Sequence, residues 1–138
     1  MAADEFDKVE LPAIEQLQSL GWTYVKGEDL SPEKSSERSS YKEFVLEKRL
    51  SANIKGIHPW ISDQNLSKVV KDLTKTQYTN LIEANQSIWT TLNECVSVMQ
   101  DLGKGNKGQT VHIIDFENPE NNEFLCTNQF KVSGINQN

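Results

Sequence analysis

The sequence predicts an α+β fold, with about four helices packed on a small, mainly antiparallel sheet. Two observations carry the α+β reading. Apolar residues recur at helical spacing through the first two thirds of the chain. The pattern then switches to strand-like alternation around a Gly-rich turn. With 138 residues, one domain is expected over residues 1–138.

The first helix is expected from about Glu10 to Leu20. Leu11, Ile14, Leu17 and Leu20 recur near helical spacing, Pro12 is tolerable in a first turn, and Gly21 is a natural stop. Trp22, Tyr24 and Val25 then alternate as a short strand. Residues 26–40 hold Gly27, Pro32, four serines and many charges, and are expected as an exposed loop. A second helix is expected from about Ser40 to Ile54, with Tyr41, Val45 or Leu46, Leu50 and Ile54 along one side. Its Glu43, Glu47, Lys48 and Arg49 form a solvated face.

The third helix has the clearest start. Ser62 is placed to accept an orphan backbone N–H, with Ile61 and Leu66 at the flanking apolar positions. Leu66, Val69, Val70 and Leu73 follow on one face. A fourth helix is expected from about Tyr78 to Glu94. Val96, Val98 and Met99 suggest a strand, and Gly103–Gly108 a turn. Thr110–Phe116 and Glu123–Val132 are expected as neighbouring strands joined by the Asn118-Pro119 loop. On the second, Phe124, Cys126, Phe130 and Val132 share one face.

The composition, 36% hydrophobic and 25% charged, suits a soluble globular protein. No apolar run approaches the roughly 20 residues that span a bilayer, and the acidic N-terminus is not a secretory signal. A cytoplasmic protein with no membrane partner is expected. Cys95 and Cys126 form no Cys-x-x-Cys motif and read as reduced, buried thiols. Against 14 basic residues stand 20 acidic ones, a formal charge of −6. Affinity for DNA rests largely on Lys and Arg, so this chain alone is a poor DNA binder.

Five groups invite a functional reading. Gly103–Gly108 lies near the phosphate-loop pattern, but Gln109 stands where a lysine is needed and the following segment is β-like, so a hairpin turn is expected. Asp115, Glu117, Glu120 and Glu123 lack the Gly and the spacing of a calcium loop. His58 and His112 lack a third partner at zinc-ligand spacing. Asn128 falls on the apolar face of the last strand and must find hydrogen-bond partners. Glu10, read from the residues alone, is an acid in the first turn of a helix, where the helix dipole favours it.

Glu10 with Leu17, Gly21, Trp22 and Tyr24, then Tyr41-Lys-Glu-Phe-Val-Leu-Glu-Lys-Arg-Leu50, then Asn80-Leu-Ile-Glu-Ala-Asn85 stand in one order with a long last element. That element is Ile114-Asp-Phe-Glu-Asn-Pro-Glu-Asn-Asn-Glu-Phe-Leu125 with Asn128-Gln-Phe-Lys-Val132. Together they resemble the N-terminal region of the restriction (R) subunit of type I restriction enzymes. The resemblance implies a partial restriction-endonuclease-like core and an enzyme that cleaves foreign DNA with ATP and Mg²⁺, assembled with modification and specificity subunits. In that family an Asp and a Glu-x-Lys follow the Asn-Gln-Phe-x-Val segment and hold Mg²⁺ for metal-assisted hydrolysis. Glu10 matches an accessory acid of the nuclease site, a possible Mg²⁺ ligand. This chain has no Asp…Glu-x-Lys after Val132 and no ATP site, so it is expected to be an inactive fragment. The alternative is a stand-alone non-catalytic interaction domain derived from the same fold. Self-association through the open edge of the last strand is expected.

Overall fold

A computed structural model describes residues 3–74 and 80–133. The chain opens on helix, earlier than expected. Ala3–Glu5 (α1), a π-helical segment Phe6–Glu10 and Leu11–Ser19 (α2) run on without a break. Pro12 explains the π segment. Inside a helix its ring clashes with the carbonyl four residues back, so the preceding turn widens. The Leu11 N–H accordingly reaches back five residues to the Phe6 carbonyl. The helix stops where expected, at Gly21, which adopts φ 96°.

The chain comprises two compact units: Met1–Leu46 with Phe124–Asn138, and Glu47–Glu123. In the first, α2 buries Ile14. β1 (Thr23–Tyr24) follows, and then a 3₁₀ turn, Gly27–Leu30. The stretch 26–40 is not the exposed loop expected, since Leu30, Ser31 and Arg38 are buried. Arg38 organises it. Its Nε donates to the Glu43 carbonyl and Nη2 to the carbonyls of Tyr41 and Lys131. Its guanidinium lies 4.3 Å from the centre of the Phe130 ring.

That same arginine corrects the second helix. The expected start at Ser40 is wrong, and α3 spans Glu47–Ile57. The Tyr41 and Glu43 carbonyls are taken by Arg38, and the Ser39 N–H and hydroxyl by the Glu43 carboxylate. These bonds occupy backbone groups of residues 39–43 without a helix, while Arg38 Nη1 stays buried with no hydrogen-bond partner among the described residues.

The second unit holds α3, α4 (Asp63–Thr74), α5 (Leu81–Asn93), β2 (Val96–Asp101) and β3 (Asn106–Val111). Ser62 caps α4 as expected, its hydroxyl accepting the Asn65 N–H at 3.2 Å. α5 is capped by Asn80, whose side chain accepts the Glu83 N–H; the expected start at Tyr78 lies outside the described residues. The core comprises Ile54, Ile61, Val69, Val70, Leu73, Val98, Val111 and Ile113.

β2 and β3 form an antiparallel hairpin, with Val96 opposite Val111 and Asp101 opposite Asn106. Gln100 ties it to the helices, donating to the Trp60 carbonyl and accepting from the Ser62 N–H and the Asn65 amide. Two strand expectations are corrected here. β3 ends at Val111 rather than Phe116, because side chains capture the backbone beyond it. His58 Nε2 accepts the His112 N–H, Asn53 donates to the Ile113 carbonyl, and Asn122 bonds both backbone groups of Asp115. The expected pairing of 110–116 with 123–132 is absent. The last strand, β4, is Leu125–Cys126, and it pairs in parallel with β1. The alternation expected to Val132 breaks at Gln129, where φ is 53°. The result is α+β, with one antiparallel and one parallel pair. Among the described residues no helix is long and apolar enough to cross a membrane.

Candidate functional site

The parallel pair brings the two ends of the described chain together. The Thr23 N–H donates to the Phe124 carbonyl, Val25 to Cys126 and Gly27 to Asn128. Trp22 packs edge-on against Phe124, ring centres 5.1 Å apart. Past Cys126 the chain turns through Asn128 and Gln129. Gly27 lies flat against this turn. A Cβ there would sit 2.3 Å from the Asn128 carbonyl oxygen and 2.4 Å from that of Gln129. Only a residue without a side chain fits.

Glu10, at the end of the π segment, meets the turn. Asn128 Nδ2 donates to one carboxylate oxygen at 2.8 Å, and Gln129 Nε2 donates to the other. The Tyr24 hydroxyl donates to Asn128 Oδ1 at 2.6 Å. Glu10, Tyr24 and Asn128 are half-buried and Gln129 is exposed. Burial first, and then the Glu10 charge, raise the Tyr24 phenol above its ordinary range. A carboxylate is thus held by two neutral amides, one of them fixed by a phenol. Among the described residues no Lys or Arg pairs with Glu10. Its charge is oriented and not neutralised.

Such a carboxylate is a hard oxygen donor of the kind Mg²⁺ takes. It is one ligand, not a centre. Among the described residues no three His, Cys, Asp or Glu side chains gather to hold a metal ion.

The other candidates are accounted for differently. The hairpin loop is confined to residues 102–105, because β3 begins at Asn106 and not at the expected Thr110, and the Gly103 and Gly105 N–H groups donate to the Asp101 carboxylate. A phosphate would find those donors occupied. Asp115 accepts from the Asn118 N–H and the Asn121 amide, which hold its carboxyl below the usual range. Glu123 pairs with Arg49 at 2.8 Å. His58 and His112 stack with ring centres 6.1 Å apart, a proximity the sequence did not reveal. Burial lowers the His58 pKa. Cys126 is half-buried, but Cys95 is exposed, against expectation. It lies just past the end of α5 and before β2, beyond the reach of the core.

The sequence places Asn128 on an apolar face as an amide in need of partners. It does not reveal that Asn128 and Gln129 both reach Glu10. The available signal was the pair itself: two adjacent amides in an apolar strand cannot both be packed without polar partners.

The fold is an α+β one in which Glu10, at the end of the π segment, meets the turn that follows the last strand, and comparison with known proteins defines its class. The model of the type I restriction enzyme R protein N terminus matches residues 3–138, and the chain belongs to that family. It is 35% identical over 130 residues to the "Putative type I restriction enzyme MjaIXP endonuclease subunit" of Methanocaldococcus jannaschii. That match covers 94% of this chain and 12% of the relative. With the type I restriction enzyme HindI endonuclease subunit of Haemophilus influenzae it shares 29% identity over 125 residues, covering 90% of this chain and 12% of that one. The chain therefore spans about an eighth of the length of the curated relatives it matches. No solved structure matches.

Proposed function

We propose that this chain serves as the N-terminal part of a restriction subunit, in a complex that cleaves foreign DNA with ATP and Mg²⁺. Modification and specificity subunits complete the complex, which works in the cytoplasm. The observation that supports this reading is the Glu10 carboxylate, gripped by the Asn128-Gln129 pair of the family-like segment. Glu10 would be an accessory acid, able to offer one oxygen ligand to Mg²⁺. When bound, Mg²⁺ would supply charge for water activation and for the phosphodiester transition state. This chain's own part is to present that oxygen in a fixed direction.

The 138 residues alone do not cut DNA. One carboxylate cannot replace a cluster of acids with a lysine, and no ATP site lies in the sequence. The DNA contacts of the complete enzyme lie elsewhere, as the net charge of −6 requires. The test is plasmid cleavage. The purified chain should leave supercoiled plasmid intact with Mg²⁺ and ATP. A complex carrying this segment in its restriction subunit should give linear product only with both. Nicking by the chain alone, or cleavage by the complex without ATP, would contradict the proposal.

A further inference from the structure

We propose that the outer face of α5, made of Leu81, Ile82 and Trp89, docks on another part of the same restriction subunit, against a surface that is apolar and uncharged. The inference rests on the reading of this chain as part of such a subunit.

The helices α2, α3 and α4 each bury an apolar side chain, and α5 buries none. Its inner face is only partly covered. Leu92 rests on the core, while Ser87, Ile88 and Thr91 line a cavity of about 200 Å³ with Val69, Leu73 and Val98. On the outer face Ile82 and Trp89 stand two turns apart on one stripe, 80% and 64% exposed, with Leu81 beside them at 75%. Ile82 and Leu81 are the most exposed large apolar side chains among the described residues. A helix of 13 residues is marginal in water unless packing holds it. A second surface over the bare stripe would complete its burial.

The chemistry of the stripe selects the kind of partner. Glu83 is the one charged side chain in Leu81–Asn93. Without Lys or Arg, α5 cannot take nucleic-acid phosphates, and it lacks the basic flank of a helix that lies on a membrane. An exposed Trp with Leu and Ile and almost no charge is the composition of the centre of a protein interface.

Size selects the partner further. From Leu81 to Trp89 the stripe runs about 12 Å, and at one helix width it offers on the order of 100–200 Å². A free partner needs about 800 Å² on each side. The stripe is therefore too small to hold a second copy or a separate subunit by itself. A surface in the same chain is kept near by its linkage, at an effective concentration in the millimolar range, and needs far less area. The chain spans about an eighth of the length of the relatives it matches, so a restriction subunit of that length has ample surface to offer.

Hydroxyl-radical footprinting with mass spectrometry reads exposure at Leu81, Ile82 and Trp89 one by one. In the 138-residue chain, diluted until monomeric, all three should oxidise freely. In a whole restriction subunit carrying this segment, with no other subunit present, they should lose most of that oxidation. Ile82→Gln combined with Trp89→Gln keeps a good helix former at both positions. The pair should leave the urea midpoint of the 138-residue chain unchanged and restore the oxidation of Leu81 in the whole subunit. Three results would overturn the proposal: equal oxidation in the short chain and the whole subunit, protection that grows with the concentration of the short chain, or protection that appears only when modification and specificity subunits are added. Plasmid cleavage judges the underlying reading separately. ATP-dependent cleavage with an unprotected α5 keeps the restriction subunit and removes the docking, whereas a protected α5 in a complex that cleaves without ATP does the reverse.

Discussion

Gly27→Ala is the sharpest probe of how β1 meets the last turn. The added Cβ would lie 2.3 Å from the Asn128 carbonyl oxygen, 2.4 Å from that of Gln129 and 2.6 Å from the Gln129 carbonyl carbon. All three atoms are backbone, so no side chain can swing aside. The strand must part from the turn by several tenths of an ångström before Cβ reaches even 3.0 Å. The Gly27 N–H bond to Asn128 is lost with that movement, and the Tyr24–Asn128 and Asn128–Glu10 bonds are stretched. Each is worth about 0.5–1.5 kcal/mol net, so the loss is about 2–4 kcal/mol. Gly56→Ala is the control. Gly56 lies in α3 with nothing within 4 Å of the added Cβ, and should gain up to about 1 kcal/mol from helix propensity. Urea denaturation of both variants, with amide exchange at Thr23 and Val25, measures the contrast. A Gly27→Ala protein as stable as the parent would refute the close packing of β1 on the turn.

Arg38→Leu strips charged donors from three backbone carbonyls and should cost about 3 kcal/mol or more; Arg38→Lys should not rescue it, because an ammonium lacks the planar fork. Urea midpoints of the two variants test this. His58 has its folded pKa lowered by burial, so the unfolded state takes up protons first. Its stabilising contribution should be full above the unfolded value of about 6.5 and be lost as pH falls through the folded pKa. His58→Gln, which can still accept the His112 N–H, should flatten that dependence in urea midpoints taken from pH 7.5 to 5. Among the described residues no third strand joins the β1–β4 pair, and we expect concentration-dependent self-association. Sedimentation that shows a monomer at all concentrations would remove that expectation.

Local signals were legible and non-local ones were not. Ser62 read as a cap and Gly21 as a stop because each acts on its own turn of helix. A hairpin turn near Gly103 was legible because Asp101, Gly103 and Gly105 form it within a few residues, although Asn106–Gly108 belong to the strand. The second helix failed because Arg38 takes the carbonyls that a helix from Ser40 would need. Its apolar spacing was real, but the competing donor lay outside the periodic window. The pairing of the last strand failed for a related reason. β4 bonds to β1, about a hundred residues earlier, and alternation within a strand says nothing about its partner. The site divided along the same line. Glu10 was visible as a helix acid, but its meeting with Asn128 and Gln129 depends on that parallel pair.

The measurement that bears most directly on the central claim compares two acids on one helix. Glu10→Gln and Glu15→Gln change the same group by the same atoms, but only Glu10 meets the amide pair. Each goes into a restriction complex carrying this segment, with DNA cleavage and ATP hydrolysis followed in the same reaction. Glu10→Gln should slow cleavage about 100-fold or more and leave ATP hydrolysis unchanged, while Glu15→Gln alters neither. Equal cleavage by the two variants would contradict the account.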